Sequence, residues 1–270
     1  MNKPMKWRGR WLGCQARPAA DCRIKVRLDP EGVPAHRPMR MAGRLTAIVP
    51  LTHDISEFAF SLDGPDGFRP GQYALVQPRG VPSPRAYSMC NLPGEGEWRF
   101  QIKRVPGGAA TSVLFDALRP GETVAIDGPY GHAYLREDRP GDLLLVAGGS
   151  GLSPMVSIAR AAAASAASWD REIHFVYGGR LPRDICGEPI LAGLPGYGAR
   201  LRYTAAISEA AEDWTGATGF LHDVVRAMYG RRLDAFEIYF AGPPPMVKAM
   251  QAMLHEAGVS PDRVHFDEFY

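Results

Sequence analysis

No run in these 270 residues is apolar over the roughly 20 positions needed to cross a bilayer, and the alanine-rich stretch 158–167 is too short and follows a glycine turn. The beginning of the chain lacks the charged, apolar and small-residue order of a secretory signal. Cysteines are scarce: Cys14, Cys22, Cys90 and Cys186 lie far apart with no C-x-x-C among them, so reduced thiols in the cytoplasm are expected rather than a disulfide framework. The seven histidines never recur at ligand spacing, and nothing in their pattern points to a metal site or to a Ser–His–Asp triad. A strong charge of one sign is missing too, since the formal net charge is only +2. The basic residues are uneven, however: ten Lys/Arg against three Asp/Glu fall in positions 1–40. That reads as a solvated tail, with neither nucleic acid nor a membrane as its expected partner.

What is abundant is glycine, at 30, and proline, at 24, within an ordinary 46% of apolar residues. Such punctuation implies many turns. From position 41 onward, short apolar or alternating segments at 44–49, 57–62, 73–77, 86–89, 98–104 and 123–126 are separated by Gly-Pro, Pro-Gly and Asp-Gly pairs. Regular short strands of this kind predict a small antiparallel β-barrel or sandwich, interrupted by one helix at 111–118. Beyond Gly141 the rhythm changes to α/β. Apolar runs at 143–147, 172–177, 201–207 and 237–241 alternate with helical patterns at 154–167, 219–229 and 245–257. That order predicts a parallel sheet with helices on both faces, of Rossmann-like type. The expected division is therefore a tail at 1–40, a barrel at 41–140 and an α/β domain at 141–270. A strand is also expected at 22–28.

The chemistry concentrates at a few turns. Gly148-Gly149-Ser150-Gly151-Leu152-Ser153-Pro154 runs from an apolar strand into a helix. Glycines there let backbone approach a pyrophosphate, and a helix start offers free N–H groups. Pro154 stands where a full G-x-G-x-x-G would have its third glycine, and alone the cluster is equally a plain tight turn. A second strand-to-helix turn, Ala241-Gly242-Pro243-Pro244-Pro245-Met246, would open on the same edge of the sheet. In the barrel, Arg85-Ala86-Tyr87-Ser88 sets a bidentate anion binder, a flat ring and a hydroxyl in one strand. Gly107-Gly108-Ala109-Ala110-Thr111-Ser112 opens the helix that follows.

These motifs, with the ending Phe266-Asp267-Glu268-Phe269-Tyr270, stand in the order found in the ferredoxin–NADP reductase superfamily. Over residues 41–270 the chain most resembles the reductase components of bacterial aromatic-ring oxygenases and of phenol or toluene hydroxylases. The resemblance implies FAD in the barrel and a nicotinamide dinucleotide in the α/β domain. Arg85 would bind the FAD pyrophosphate, Ala86 would lie beside it, Tyr87 would face the isoalloxazine, and Ser88 would hydrogen-bond near its N5. Ile102 and Lys103 fall in the strand that meets the FAD backbone. Gly108, Thr111 and Ser112 would meet phosphate at the helix start. Gly149, Ser150, Gly151, Ala241, Gly242 and Pro243 would face the dinucleotide. Asp267 and Phe269 match the acidic and aromatic residues near the family's end, where the ring covers the other face of the flavin; Ser88, Asp267 and Phe269 are the expected catalytic set.

By the same resemblance, hydride passes from NADH to FAD and single electrons pass on to a ferredoxin or other iron–sulfur acceptor of an oxygenase system. NADH is expected over NADPH because Ser208 is followed by Glu209, where the family's NADPH users place a basic residue. Leu12-Gly13-Cys14-Gln15-Ala16-Arg17-Pro18 resembles the tail of a plant-type ferredoxin domain. The C-x₄-C-x₂-C run such a cluster needs does not precede Cys14 in this sequence. Two rival expectations stay open: a partner-independent flavin or ferric reductase, and a truncated remnant of a fused reductase with no physiological acceptor.

Overall fold

The computed structural model describes residues 19–23, 33–168 and 170–269. The ferredoxin-like motif around Cys14, most of the strand expected at 22–28, and Tyr270 lie outside the described residues.

Six antiparallel strands build the first layer: β1 (Met39–Pro50), β2 (Ile55–Leu62), β3 (Tyr73–Gln77), β4 (Arg85–Ser88), β5 (Glu97–Lys103) and β6 (Thr123–Tyr130), in the spatial order β4-β3-β6-β1-β2-β5. An isolated bridge from Met89 to Phe100 brings the two edge strands together, so the sheet curls into a nearly closed barrel. Side-chain alternation drives this. On β1, Met41 and Leu45 point inward while Arg40, Ala42 and Arg44 face water, the period-two pattern of a half-buried strand. The core they enter is aromatic, with Phe58, Phe60, Trp98 and Phe100 all fully buried. β1 and β6 prove longer than the sequence pattern suggested. The extra residues of β1, Met39 to Gly43, pair with Gly128 back to Val124 of β6, which itself runs on past the expected 126 to Tyr130.

The helix expected at 111–118 starts two residues earlier and is of mixed kind: α1 (Ala109–Ser112) passes into a wider π turn, Val113–Ala117. The Leu118 N–H reaches back five residues to the Val113 carbonyl at 2.8 Å, which lets both Leu114 and Leu118 enter the barrel core.

The second layer is a six-stranded parallel sheet of β7 (Asp142–Gly148), β8 (Ile173–Gly179), β9 (Leu201–Ile207), β10 (Ala217–Thr218), β11 (Phe236–Gly242) and β12 (Val264–Glu268), in the order β10-β9-β8-β7-β11-β12. Its helices are α2 (Leu152–Ala164), α3 (Glu188–Ala192), α4 (Leu221–Tyr229) and α5 (Pro244–Glu256). β7 shows why its run is continuously apolar. Leu143, Leu145 and Ala147 pack with α2 on one face, and Leu144 and Val146 pack with α4 and α5 on the other. α2 begins two residues before the expected 154, through a 3-10 turn at Gly149–Gly151, and stops at Ala164, where Ser165 turns extended. The short α3 and the two-residue β10 carry too few residues to show a period and were not legible in the sequence.

Helix α2 fastens the two layers. The Ser153 hydroxyl donates to the Ser88 carbonyl at 2.6 Å and accepts from the Gln101 N–H at 3.1 Å, and the Ser157 hydroxyl donates to the Asn91 carbonyl at 2.8 Å. These buried groups are polar but satisfied, as burial demands. Among the described residues, no helix is long and apolar enough to cross a membrane.

Candidate active site at the layer junction

A cleft of about 1040 Å³ runs from the barrel strands β4 and β5 across the carboxyl ends of the parallel strands. That is at or above the upper end of the roughly 300–1,000 Å³ typical of single-ligand pockets, so there is room for two extended ligands laid end to end. In an open α/β sheet, the crevice beyond the strand ends is where ligands bind.

Arg85, Ala86, Tyr87 and Ser88 all line the cleft. Arg85 is exposed, with its guanidinium folded onto its own loop: Nη1 donates to the Ser83 hydroxyl at 2.8 Å and to the carbonyls of Ser83 and Pro84 at 3.1 Å. Among the described residues no carboxylate holds it, so its charge is available to an anion. Tyr87 is half-buried, and burial pushes its phenol up to about 12 against the opposing pull of Arg85; it stays a neutral ring and hydroxyl. Ser88 is 3% exposed, yet its Oγ has no hydrogen-bond partner, and the Oε1 of Gln101 on the same wall is equally orphaned. A buried polar atom without a partner is costly, and a hydroxyl and an amide oxygen so placed on one cleft wall suit a polar ligand. The residues present therefore fit a flavin: a guanidinium in no ion pair among the described residues, a ring, and two unsatisfied polar groups.

Lys103 lines the cleft with its ammonium 3.0 Å from Asp54, and Gly108 and Thr111 line it at the start of α1. Thr111 Oγ1 is tied to its own loop, accepting from the Val105 N–H at 3.2 Å. Two expected members differ. Ile102 is fully buried in the barrel core, because its strand parity points it inward, so only its backbone can meet a ligand. Ser112 is half-buried and lies off the cleft, one position further along α1.

On the sheet side, Gly149, Ser150 and Pro243 line the cleft, while Gly151, Ala241 and Gly242 do not. These three lie behind the wall, pressed together: a Cβ on Gly151 would meet the Ala241 carbonyl oxygen at 2.0 Å and the Gly242 nitrogen at 3.0 Å. Gly149 takes the left-handed φ of +56° that the turn requires. At the end of the chain, the Phe269 N–H donates to the Gly242 carbonyl at 3.0 Å, and its half-buried ring lines the cleft. Asp267 does not line it. Burial alone raises that carboxyl to about 6, with no hydrogen-bond donor reaching it among the described residues.

The fold also assembles groups that no local motif announced. Tyr177 from β8 and Phe220 from the turn before α4 reach the same wall, where Ser208 and Met246, residues of the segments named above, join them. His53, Asp54 and Asp184 place their ligand atoms within 4.8 Å of one another, a grouping invisible to spacing because Asp184 arrives from the far domain. With the Lys103 ammonium 3.0 Å from Asp54, the cluster is already an ion-pair network.

Family models match both halves of the chain: an oxidoreductase FAD-binding domain over residues 42–134 and an oxidoreductase NAD-binding domain over residues 145–252. Ferredoxin–NAD(P)+ reductase CarAd of Metapseudomonas resinovorans is 39% identical over 97% of this chain and 78% of its own length. The phenol 2-monooxygenase reductase component DmpP of a Pseudomonas species is 30% identical, over 96% of this chain and 74% of its own. Among solved structures, the ferredoxin reductase in carbazole 1,9a-dioxygenase superposes with a TM-score of 0.87 at 36% identity, covering 96% of this chain and 78% of that one. Likeness at this level runs through the barrel, the parallel sheet and the cleft between them, and the chain belongs to the ferredoxin–NAD(P)+ reductase family, with its FAD-binding and NAD-binding domains.

Proposed function

We propose that this protein takes hydride from NADH and delivers electrons singly to an iron–sulfur protein of an oxygenase system, working in the cytoplasm where that donor is abundant. The division into a tail at 1–40, a flavin barrel at 41–140 and a nicotinamide domain at 141–270 belongs to the same reading. The observation that carries it is the unpaired, buried Ser88 hydroxyl on a cleft shared by the barrel and the Gly149 turn. Bound FAD supplies hydride acceptance and one-electron release. The chain supplies the setting. Arg85 and the Thr111 turn receive phosphate charge, Ser88 offers its hydroxyl to a ring nitrogen, and Tyr87 and Phe269 cover ring faces and exclude water. Gly149 and Ser150 admit the donor's pyrophosphate. The test is a spectrum of the purified protein for flavin bands, followed by NADH-driven reduction of a small dye against reduction of an added ferredoxin. Efficient ferredoxin reduction supports the reading. Dye or free-flavin reduction alone points to a partner-independent reductase, and no turnover at all to a remnant.

Arg85→Ala is expected to weaken FAD binding by about 1.5–3 kcal/mol, the worth of a lost charged hydrogen bond. Lysine restores only part of it, lacking the fork. Flavin titration into apoprotein measures this, and an unchanged affinity removes Arg85 from the site.

Donor choice rests on one exposed pair. Arg180 donates to Glu209 from Nε at 3.0 Å and lies 2.9 Å away through Nη2, so this cation of the cleft wall already has a carboxylate partner. NADH is therefore expected to have the higher kcat/KM. Glu209→Gln releases Arg180, and its kcat/KM for NADPH is expected to rise roughly ten-fold, about 1.5 kcal/mol for one charged contact. A wild-type preference for NADPH contradicts this assignment.

A further inference from the structure

We infer that Glu57 locks the side-chain amide of Gln101 with its carbonyl oxygen toward the flavin ring, and that this oxygen favours the reduced flavin over the oxidised one. The inference rests on the flavin reading above and deepens it. Gln101 is 2% exposed and lines the cleft, and its Oε1 is a buried acceptor without a partner among the described residues. The residue is fixed at three points. Its N–H donates to the Ser153 hydroxyl at 3.1 Å, and that hydroxyl donates to the Ser88 carbonyl at 2.6 Å, so Gln101 and Ser88 stand one hydroxyl apart. On β5 it is the cross-strand partner of Glu57 on β2. Its Nε2 donates to Glu57 Oε2 at 3.1 Å.

The two ends of an amide are told apart by what they meet. Glu57 is a carboxylate with the Arg99 guanidinium 3.6 Å from its Oε1, and its Oε2 also accepts from the Cys90 thiol at 3.4 Å. Burial first, and then Glu57, holds that thiol well above its usual range, so it remains a donor. A carboxylate only accepts, so the end of Gln101 at Glu57 is the NH2 and the end left over is the carbonyl. Gln101 and Ser88 thus offer unlike groups at one place. A hydroxyl donates and accepts, so Ser88 suits a ring nitrogen in either state, whereas a carbonyl oxygen accepts only. Hydride arriving from the donor turns that nitrogen from an acceptor into an N–H donor. Only then does Gln101 gain its hydrogen bond, and a buried acceptor without one is costly. A group that pairs with one state alone shifts the equilibrium toward it.

The midpoint potential of the flavin in the FAD-loaded protein, followed spectroelectrochemically at neutral pH, tests this. Gln101→Met keeps the volume and removes the acceptor. It is expected to lower the ratio of reduced to oxidised flavin at a fixed potential roughly ten-fold, the effect of one hydrogen bond. For a two-electron couple that is a fall of about 30 mV. Glu57→Gln supplies a side chain that donates as well as accepts, so it satisfies Gln101 in either orientation. Its lost charge acts alike with and without Gln101→Met, and the double-mutant cycle cancels it. The fall caused by Gln101→Met is therefore expected to shrink in the Glu57→Gln background. A fall of the same size there overturns the part given to Glu57. A Gln101→Met potential equal to wild type overturns the redox role, even where flavin binds more weakly, because a contact to a ring N–H present in both states has that signature. A wild-type protein without flavin bands removes the flavin reading and this inference together, whereas bound flavin with an unchanged potential removes this inference alone.

Discussion

Gly151→Ala is expected to lower the free energy of unfolding by about 3 kcal/mol, the upper end of what overpacking costs, and to cripple the dinucleotide half of the cleft. The added methyl would lie 2.0 Å from the Ala241 carbonyl oxygen and 2.4 Å from its carbon. Neither atom can give way. Ala241 sits on β11, paired on one side with Ala147 of β7 and on the other with Asp267 of β12. On the opposite flank, Gly151 leads directly into α2, whose serines are bonded to the barrel. Moving either element disturbs a fully paired strand or the junction between layers. Gly149→Ala makes the contrast. Its Cβ would find only the Lys103 side chain, at 3.8 Å, so the penalty is the left-handed backbone alone, about 1–2 kcal/mol. Denaturant unfolding of the two FAD-loaded variants measures the difference. Equal destabilisation would mean that β11 yields more easily than its pairing implies.

That pair of glycines also shows how far sequence reasoning reaches. The strand–glycine–helix pattern located the turn correctly, because apolar runs and glycine punctuation are local. It could not assign the glycines separately. Gly149 lines the cleft while Gly151 serves packing against Ala241, and that distinction depends on a strand some ninety positions away. The strands at 73–77 and 201–207 were read to the residue for the same local reason. Ile102 shows the opposite case. Its strand was legible, and the alternation Trp98-Arg99-Phe100-Gln101-Ile102 already sends it inward with the two aromatics, whereas the resemblance marked the strand without telling side chain from backbone. Phe220 escaped notice altogether, since a lone phenylalanine ahead of a helix reads as core until the fold leaves it in water. Arg180 with Glu209, and His53 with Asp184, were likewise joined only by tertiary structure.

Asp267→Asn is expected to change how stability depends on pH, by about 3 kcal/mol across the range where the carboxyl ionises. The carboxyl is buried beside Tyr73, whose own phenol is raised first by burial and then by Asp267. With no cation or donor to favour the charged form, desolvation lifts the carboxyl from 3.8 to about 6. The folded protein therefore holds this proton up to about pH 6, whereas the unfolded chain releases it near pH 4. Between those values the native state binds more protons, so stability falls as pH rises, then levels off once both states are ionised. About two pH units at 1.36 kcal/mol each give the stated magnitude. Asparagine has nothing to ionise. The variant should match wild type near pH 4, apart from any fixed cost of the amide, and gain on it steadily to about pH 7, where the wild-type protein carries an uncompensated buried charge. Denaturant midpoints of both FAD-loaded proteins at several pH values test this. A difference that stays flat from about pH 4 to 7 would show that Asp267 is already charged, held by a partner.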